Sequence, residues 1–443
     1  MNKLFGTDGI RGLAGTELSA EIAFRLGNAL AQEPVPGRKE VHLLLAKDTR
    51  ISCDMLESAV ASGAAAGGMT VHRCGIMPTP ALAYATRAEQ ALGVMISASH
   101  NSYEYNGLKV ISQGYKLPDR DEERIEEIML SGNLMIQKED QIGRVLDHPK
   151  ARGDYLQYLY RWFEDLHLGG LRVVFDAANG ASHSVASEVF RTLGANVIPI
   201  HDQPNGLNIN LQCGSQHPES LIQLVLENKA QIGIAHDGDA DRCILVDHTG
   251  NIIDGDAIIA ICASHYKKRN TLSKDTIVTT VMSNMGLEVF LKEQGIRMVR
   301  TRVGDRYVLE KMKETGAIIG GEQSGHVIFL DKSTTGDGLL TALTILEHMV
   351  ESGKSLRDLA APIPHYPQVL YNLPIKDKDL LLESEDLKAV EEKVKKTLGD
   401  LGRVLIRPSA TEPLVRIMLE GTDAEMIEEL AQLLIQEVKR IDA

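Results

Sequence analysis

The sequence predicts an α/β protein of several domains that ends in a smaller α+β domain. Short apolar segments, predicted as buried strands, alternate with helical stretches over most of the chain, and this pattern is typical of α/β units with a largely parallel sheet. The 443 residues exceed what one hydrophobic core usually holds, so three or four domains are expected. Pro362, Pro364 and Pro367 interrupt the alternation and mark the last boundary.

The individual elements follow from the apolar pattern. The segments predicted as buried strands are 41–46, 93–96, 173–175, 197–200, 232–235, 277–281, 298–301 and 317–319. The segments predicted as helices between them are 52–66, 184–193, 221–228, 287–294 and 306–314, followed by a longer helix at 338–351. Beyond the prolines we expect a charged helix at 385–398, a strand-loop-strand unit and a terminal helix at 423–441.

Charge and composition exclude several classes of protein. The net charge is −14 without a basic tail or stripe, which argues against nucleic acid as a partner. No apolar stretch reaches the length of about 18 residues that a membrane span needs, and the first residues contain no apolar signal core. The five cysteines are scattered and form no C-x-x-C pair, which favours a reducing compartment. We therefore expect a cytoplasmic enzyme or binding protein.

Three carboxylates at alternate positions are the most informative local feature. Asp237, Asp239 and Asp241 lie between two apolar runs, and oxygen ligands so close together favour Mg²⁺, Mn²⁺ or Ca²⁺. The same spacing begins a calcium EF-hand loop, but that interpretation fails because Arg242 stands where glycine is needed and His248 where glutamate is needed. The alternative to a cation site is a solvated acidic turn.

A second loop, residues 97–101, places two serines, a histidine and an asparagine at the end of a predicted strand. The chain contains no G-x-S-x-G elbow, and adjacent side chains on a strand point to opposite faces. We therefore do not expect His100 to be the base for Ser99, and a simple turn is the alternative. If the aspartates hold a cation, Ser99 carrying a phosphate is a candidate fourth ligand and phosphoryl carrier.

The third loop, residues 320–326, offers groups that suit a sugar. Glu322 and Ser324 beside flexible glycines match sugar hydroxyls, and His326 is a candidate for proton transfer because the unperturbed pKa of histidine is near neutral. Taken alone, His326 also fits a loop residue that only makes hydrogen bonds.

The fourth loop, residues 407–416, offers groups that suit a phosphate. Arg407 and Arg416 provide charge, and Ser409 and Thr411 provide hydroxyls. A surface ion-pair cluster is an equally good interpretation of this loop alone. One such loop falls in each quarter of the chain, which suggests four domains facing one cleft.

Together the four loops resemble those of the α-D-phosphohexomutases. The family pattern combines S-A-S-H-N, D-G-D-x-D-R, G-E-x-S-G-H and R-P-S-x-T-E-P, and all four occur here in that order over nearly the whole chain. The segments 5–12 and 303–307 and the glutamine at 323 are similar to the branch that acts on glucosamine phosphates.

The resemblance implies a four-domain architecture: three similar α/β domains with mixed sheets, and a smaller C-terminal α+β domain, arranged around a central cleft. The expected boundaries are 1–150, 151–254, 255–365 and 366–443. It also implies interconversion of glucosamine 6-phosphate and glucosamine 1-phosphate, with glucosamine 1,6-bisphosphate as intermediate and activator. Sugar phosphates are the expected partners, and relatives suggest a homodimer.

The resemblance further implies roles for individual residues. Ser99 would carry the phosphoryl group, and its phosphate together with Asp237, Asp239 and Asp241 would hold one Mg²⁺. Glu322 and Ser324 would bind the sugar. The candidates near the transferring phosphate are Arg11, Lys109 and Arg242; those for catalysis or proton transfer are His100, Lys109 and His326; those for the non-reacting phosphate are Arg407, Ser409, Thr411 and Arg416.

Two alternatives remain open from the sequence. One is the phosphoglucomutase/phosphomannomutase branch, which performs the same chemistry on another hexose. The other is a non-catalytic sugar-phosphate sensor on the same fold. A comparison of glucose and glucosamine phosphates as substrates separates the first, and a test for phosphate on the protein separates the second.

Overall fold

The computed structural model describes residues 4–6, 8–32, 42–376, 381, 383–408 and 414–442. The chain divides into two compact units. The first comprises Met1–Met282 and Ile296–Ala361, and the second comprises Ser283–Gly295 and Pro362–Ala443. Among the described residues, no helix combines the length and the apolar character that a membrane crossing requires.

The described helices are α1 Ala20–Gln32, α2 Cys53–Ala66, α3 Thr79–Ala88, α4 Asp119–Ser131, α5 Lys150–Trp162, α6 Val185–Thr192, α7 Glu219–Glu227, α8 Gly255–Lys268, α9 Met285–Glu293, α10 Asp305–Thr315, α11 Gly338–Ser352, α12 Leu356–Ala360, α13 Glu385–Leu398 and α14 Ala424–Asp442. The predicted helices all appear, with ends that differ by up to two residues.

The described strands are β1 Phe5–Gly6, β2 Gly9–Leu13, β3 Leu43–Lys47, β4 Val71–Ile76, β5 Leu92–Ile96, β6 Tyr105–Ser112, β7 Tyr115–Lys116, β8 Val145–Asp147, β9 Arg172–Asp176, β10 Asn196–Ile200, β11 Ile232–His236, β12 Cys243–Asp247, β13 Ile252–Ile253, β14 Thr276–Thr280, β15 Arg297–Thr301, β16 Ile319–Gly321, β17 Val327–Phe329, β18 Gln368–Pro374, β19 Gly402–Pro408 and β20 Leu414–Gly421.

Three sheets of the first unit share one pattern. In each, three parallel strands are followed by an antiparallel strand, in the orders β4-β3-β5-β6, β10-β9-β11-β12 and β15-β14-β16-β17. The expectation of largely parallel sheets was therefore too simple, and the mixed sheets implied by the resemblance are confirmed. The last parallel strand and its antiparallel neighbour are joined by one loop, so each sheet presents a loop at the same place.

Continuous burial explains why β5 and β11 were visible in the sequence, whereas β4, of which only two of six residues are buried, was not predicted. Every residue of β5 and β11 is buried, as expected for strands covered by helices on both faces. The helices α1 and α2 of the same unit pack closely, because Gly27 faces the Val60 carbonyl and Gly63 faces the Phe24 carbonyl. A Cβ at either glycine would lie about 2 Å from the facing oxygen.

The second unit is a small α+β domain, as predicted. Its antiparallel sheet has the order β18-β20-β19, and the core that β20 shares with α13 and α14 includes Val415, Leu419 and Leu434. The strand β18 was missed because none of its residues is fully buried, so its apolar signal is weak. The helix α9 also belongs to this unit, where the Asn284 amide donates to the Tyr366 carbonyl at 2.9 Å.

Candidate functional site

The loops that follow β5, β11 and β16 meet within the first unit. The Ser99 hydroxyl donates to Asp237 Oδ2 at 2.5 Å, which joins the first loop to the second. Asp241 Oδ2 lies 3.6 Å from His326 Nδ1, which joins the second loop to the third. Three loops that are more than seventy residues apart in sequence therefore form one buried polar centre, because each occupies the same position on its own sheet.

Ser99 lies in a strained part of its loop. Its φ is 53°, in the left-handed region that residues other than glycine rarely adopt, and its side chain is buried. The Ser99 backbone N–H donates to Ser97 Oγ at 2.9 Å. This bond, together with the bond from the Ser99 hydroxyl to Asp237, orients the hydroxyl towards the aspartates.

The expected separation of His100 from Ser99 is wrong. Ser99 Oγ and His100 Nδ1 are 3.3 Å apart, because the loop has left the strand geometry on which the expectation depended. Burial and the charges of Arg242 and Arg11 lower the pKa of His100 to about 4, so its ring is neutral at neutral pH. A neutral imidazole beside the hydroxyl is chemically able to accept a proton.

The three aspartates form a buried cluster that is short of positive charge. Asp237, Asp239 and Asp241 each bring a carboxylate oxygen within 4.8 Å of the other two. Burial and the neighbouring charges of Asp241 and Asp239 raise the pKa of Asp237 to about 8. Burial also disfavours the charge of Asp241, yet His326 and other nearby cations hold the pKa of Asp241 well below its usual range.

The donor set of this cluster fits a hard divalent cation. Asp239 Oδ1 and Asp241 Oδ1 are both buried, and neither has a hydrogen-bond partner among the described residues. Carboxylate and hydroxyl oxygens are the ligands that Mg²⁺, Mn²⁺ and Ca²⁺ prefer. A glycine at 238 is needed here, because a Cβ would lie 2.4 Å from the Ser99 carbonyl oxygen.

Lys109 is the cation closest to the aspartates. Its buried Nζ lies 2.8 Å from Asp239 Oδ2 and 3.1 Å from Asp8 Oδ2, and Asp8 also pairs with Arg11. Arg11 and Lys109 project from the same face of the neighbouring strands β2 and β6, since Arg11 lies opposite Gly107. Burial opposes the charge on Lys109, but Asp239 and Asp8 raise its pKa above the usual value. Lys109 is therefore held as an ammonium group at neutral pH, which can stabilise phosphate charge.

A chain of alternating charges connects Lys109 to the third loop. Asp8 pairs with Lys116, Lys116 Nζ lies 2.5 Å from Asp305 Oδ2, and Asp305 Oδ2 lies 3.7 Å from His326 Nε2. The sequence reasoning missed Asp8, Lys116 and Asp305 as site residues. Asp8 and Asp305 lie in the segments 5–12 and 303–307 that support the resemblance, whereas Lys116 has no local signal.

Two opposing forces act on the ring of His326. Burial lowers its pKa, but Asp241 and Asp305 outweigh burial and raise the pKa to about 9. The Gly336 backbone N–H donates to His326 Nε2 at 3.0 Å, and this contact requires an unprotonated Nε2. Full protonation of the ring therefore requires the Gly336 contact to open.

The remaining residues of the second and third loops lie beside this centre. Glu322 Oε1 accepts from the Gly304 backbone N–H at 3.0 Å. Burial lowers the pKa of Arg242, but the charges of Asp237, Asp241 and Glu322 outweigh burial and raise that pKa above its usual value. Ser324 Oγ and Arg242 Nε are buried and have no hydrogen-bond partner among the described residues. Both are polar groups that a bound ligand would satisfy.

The fourth loop belongs to the second unit. Arg407 on β19 lies directly opposite Arg416 on β20, so two like charges face each other across the ladder. Burial and the charge of Arg416 hold the pKa of Arg407 below its usual value. Ser409 and Thr411 lie outside the described residues, so their predicted contacts with phosphate stay predictions.

Comparison with known proteins gives one consistent result. Four models of the phosphoglucomutase/phosphomannomutase family match in order: alpha/beta/alpha domain I at residues 2–134, domain II at 153–250, domain III at 254–366 and the C-terminal domain at 370–437. A protein named phosphoglucosamine mutase from Caldanaerobacter subterraneus subsp. tengcongensis is 50% identical over 445 residues, which cover 99% of each chain.

Solved structures show the same fold. A phosphoglucomutase/phosphomannomutase family protein from Burkholderia thailandensis superposes with a TM-score of 0.83 at 24% identity, covering 99% of this chain and 97% of that one. An Aspergillus fumigatus N-acetylphosphoglucosamine mutase, solved with GlcNAc-6P and magnesium, gives a TM-score of 0.72 at 16% identity and covers 99% of this chain and 96% of that one.

Proposed function

The chain belongs to the phosphoglucomutase/phosphomannomutase family, and on that premise we propose that it interconverts glucosamine 6-phosphate and glucosamine 1-phosphate. The observation that carries the mechanism is the buried Ser99 hydroxyl 2.5 Å from a carboxylate of the aspartate cluster. Ser99 is the only serine of the three converging loops for which the structure gives a contact with these aspartates, within the described residues.

The chemistry is a pair of phosphoryl transfers. In the first, the bond between phosphorus and Ser99 Oγ breaks and a bond forms to the free hydroxyl oxygen of the sugar phosphate. That hydroxyl loses its proton to a base, and the departing Ser99 Oγ takes up a proton to become a hydroxyl. The resulting glucosamine 1,6-bisphosphate turns around. In the second transfer, the other phosphoryl group moves to Ser99 Oγ, the Ser99 hydroxyl loses its proton to a base, and the sugar oxygen released takes up a proton.

A cation site is part of the proposal. The family implies a metal ion, and we assign Asp237, Asp239 and Asp241, with the Ser99 phosphate, as its holders. Mg²⁺ is the proposed ion, supported by the all-oxygen donor set. A bound divalent cation supplies positive charge that offsets the charge of the transferring phosphoryl group.

Protein cations and proton carriers surround the reacting oxygen. Lys109, Arg11 and Arg242 stabilise phosphate charge. Lys109 is buried, which strengthens its effect because water does not screen its charge. His100 is the neutral acceptor nearest to Ser99. His326 is the proposed proton donor, since Asp241 and Asp305 favour its protonated form at neutral pH. Lys109 is the second candidate for proton transfer, but Asp239 and Asp8 raise its pKa above the usual value, so we assign its ammonium group to stabilising phosphate charge.

The sugar and the second phosphate are assigned to separate loops. Glu322 and Ser324 bind the sugar, and Arg407, Ser409, Thr411 and Arg416 bind the phosphate that is not reacting. The domain boundaries 1–150, 151–254, 255–365 and 366–443, a homodimer and a cytoplasmic location belong to the same proposal. The five buried free cysteines fit a reducing compartment.

The assignment of glucosamine is tested through Glu322. We expect this carboxylate to pair with the 2-ammonium group of the sugar, so glucosamine phosphates should have a higher kcat/KM than glucose phosphates. Glu322→Gln should reduce that preference about tenfold, or ~1.4 kcal/mol. The exposed Glu314→Gln variant is the control for loss of a surface charge. If the unmodified enzyme prefers glucose 1-phosphate, it belongs functionally to the phosphoglucomutase/phosphomannomutase branch.

A further inference from the structure

We propose that Arg50 and Asn210 are positioning residues that together hold the loop 97–102, here called the Ser99 loop, in the shape that phosphoryl transfer needs. The inference rests on the proposed function, which assigns the phosphoryl group to Ser99. Neither residue touches the reacting oxygen, and neither has a local sequence signal.

The backbone of the Ser99 loop is strained, so contacts from outside the loop are needed to keep its conformation. The φ of Ser99 is 53°, and a chain relaxes from this conformation unless surrounding contacts over-determine it. Relaxation would turn the Ser99 side chain away from Asp237, since the hydroxyl is attached to the strained residue itself.

Two donors reach the same two carbonyls of this loop. Arg50 Nη2 donates to the Ser99 carbonyl at 2.9 Å and to the Asn101 carbonyl at 2.8 Å. Asn210 Nδ2 donates to the same two carbonyl oxygens, at 2.9 Å each. Because each carbonyl accepts from two donors, both the position and the tilt of the 99–100 and 101–102 peptide groups are fixed.

Arg50 is itself held rigidly. It follows β3 in the first sheet, is 2% exposed, and donates from Nε to Asp48 Oδ2 at 2.8 Å. Asp48 Oδ2 also accepts from Ser97 Oγ at 2.6 Å, and Ser97 Oγ accepts from the Ser99 backbone N–H. Residues that follow strands of the first sheet therefore fix both polar groups of the Ser99 backbone. Arg50 binds the carbonyl, and Asp48 orients the Ser97 hydroxyl that accepts from the N–H.

Asn210 connects the Ser99 loop to the second sheet. It lies in the loop between β10 and α7, where its backbone N–H donates to the Ala178 carbonyl at 2.9 Å. Gly238 of the aspartate loop lies beside Asn210. Only glycine fits at position 238, because a Cβ would lie 2.9 Å from Asn210 Nδ2 and 2.4 Å from the Ser99 carbonyl oxygen. The Asn210 amide thus fixes the distance between the phosphate carrier and the aspartates.

The consequence is specific to the transfer step. Ser99 must present its oxygen to two different ends of a sugar bisphosphate, and a displacement of about 1 Å can cost roughly 100-fold in rate. In the proposed function, substrate binding relies on other loops. Loss of the Arg50 or Asn210 contacts should therefore lower kcat and the single-turnover rate of phosphate transfer, while KM changes little.

The test uses Asn210→Gly, with Gln212→Gly as the matched control. Asn210 and Gln212 lie in the same loop with φ of 57° and 49°, so glycine suits both backbones and adds the same flexibility. Gln212 is exposed. We expect Asn210→Gly to lower kcat at least about tenfold with KM within about twofold, and Gln212→Gly to leave both within about twofold of the unmodified enzyme.

Arg50→Lys provides a second variant that keeps the charge but loses the fork of donors. It should lower kcat at least as much, and its effect should not multiply with that of Asn210→Gly, because both residues act on the same carbonyls. Equal kcat for Asn210→Gly and the unmodified enzyme overturns the proposal. So does a purely KM effect, an equal loss in the Gln212→Gly control, or an Asn210→Gly chain that fails to fold when the control folds. An unmodified enzyme without mutase activity would instead refute the proposed function.

Discussion

At the scale of residues, one hydroxyl and three carboxylates define the reacting centre, and their burial sets their chemistry. Ser99 is 3% exposed and Asp239 is fully buried, so charge on either is unscreened by water. Such a centre is stable only when charges are matched, which is why an aspartate cluster short of positive charge indicates a cation.

Substitution of the two serines of the Ser99 loop separates carrier from support. Ser99→Ala removes the proposed phosphate acceptor and should abolish nearly all mutase activity. Ser97→Ala removes a bond to Asp48 and one from the Ser99 N–H, which should cost about tenfold in kcat, or ~1.4 kcal/mol. Phosphopeptide mapping should find phosphate on Ser99 alone. An active Ser99→Ala enzyme with phosphate elsewhere would contradict the assignment.

The pKa of Asp237 gives a second prediction at this scale. Because that pKa is raised to about 8, the cation-free enzyme holds a proton on Asp237 at pH 7, and a cation must displace it. Mg²⁺ affinity should therefore rise with pH up to about 8 and then level off. Calorimetry of Mg²⁺ binding in buffers of different ionisation enthalpy should show release of close to one proton at pH 7.

The matched variant is Asp237→Asn, which has no carboxyl proton to lose. Its residual Mg²⁺ binding, measured in the same buffers, should show little proton release. Binding enthalpies of the unmodified enzyme that do not depend on the buffer would show that Asp237 is already ionised, and the charge balance described for the cluster would be wrong.

Sequence reasoning located the residues whose signal is local. Ser99 and the three aspartates stand in short patterns whose spacing alone implies chemistry. Asp8, Arg50, Lys116, Asn210 and Asp305 were missed because each is a single polar residue whose partners are mostly far away in sequence. Only the folded chain brings such residues together.

At the scale of elements, the loop between the last parallel strand and its antiparallel neighbour is the repeated functional unit. The apolar runs predicted most of the parallel strands, but not β4 or β8, and the polar residues that follow the runs predicted the loops. The antiparallel pairing could not be predicted from alternation, because a buried strand has the same apolar run in either direction. The resemblance supplied that part of the prediction.

The paired arginines of β19 and β20 give a prediction for the second unit. Arg407→Ala removes one of two facing like charges, so the free energy of unfolding should be unchanged or rise by up to ~1 kcal/mol. The same change removes a proposed phosphate contact and should raise KM about 30-fold, or ~2 kcal/mol. The exposed Lys396→Ala variant controls for the change in net charge. A normal KM for Arg407→Ala would place the phosphate contact elsewhere.

At the scale of the whole molecule, an acidic chain handles an anionic substrate. The net charge of −14 repels sugar phosphates, so the cations must be concentrated where the phosphate reacts. The first unit achieves this with Lys109, Arg11 and Arg242, each brought to the centre by a strand or loop of the repeated sheets. The four family domains, found over nearly the full length, account for the length of the chain.

The central claim is that a phosphoryl group moves between Ser99 and glucosamine phosphates. It is tested most directly by labelling the enzyme with radioactive phosphate on Ser99 and mixing it, in single turnover, with unlabelled glucosamine 6-phosphate. The account predicts that the label leaves Ser99 at least as fast as kcat and appears first in glucosamine 1,6-bisphosphate, then in monophosphates. Label that stays on Ser99 while glucosamine 1-phosphate forms would contradict it.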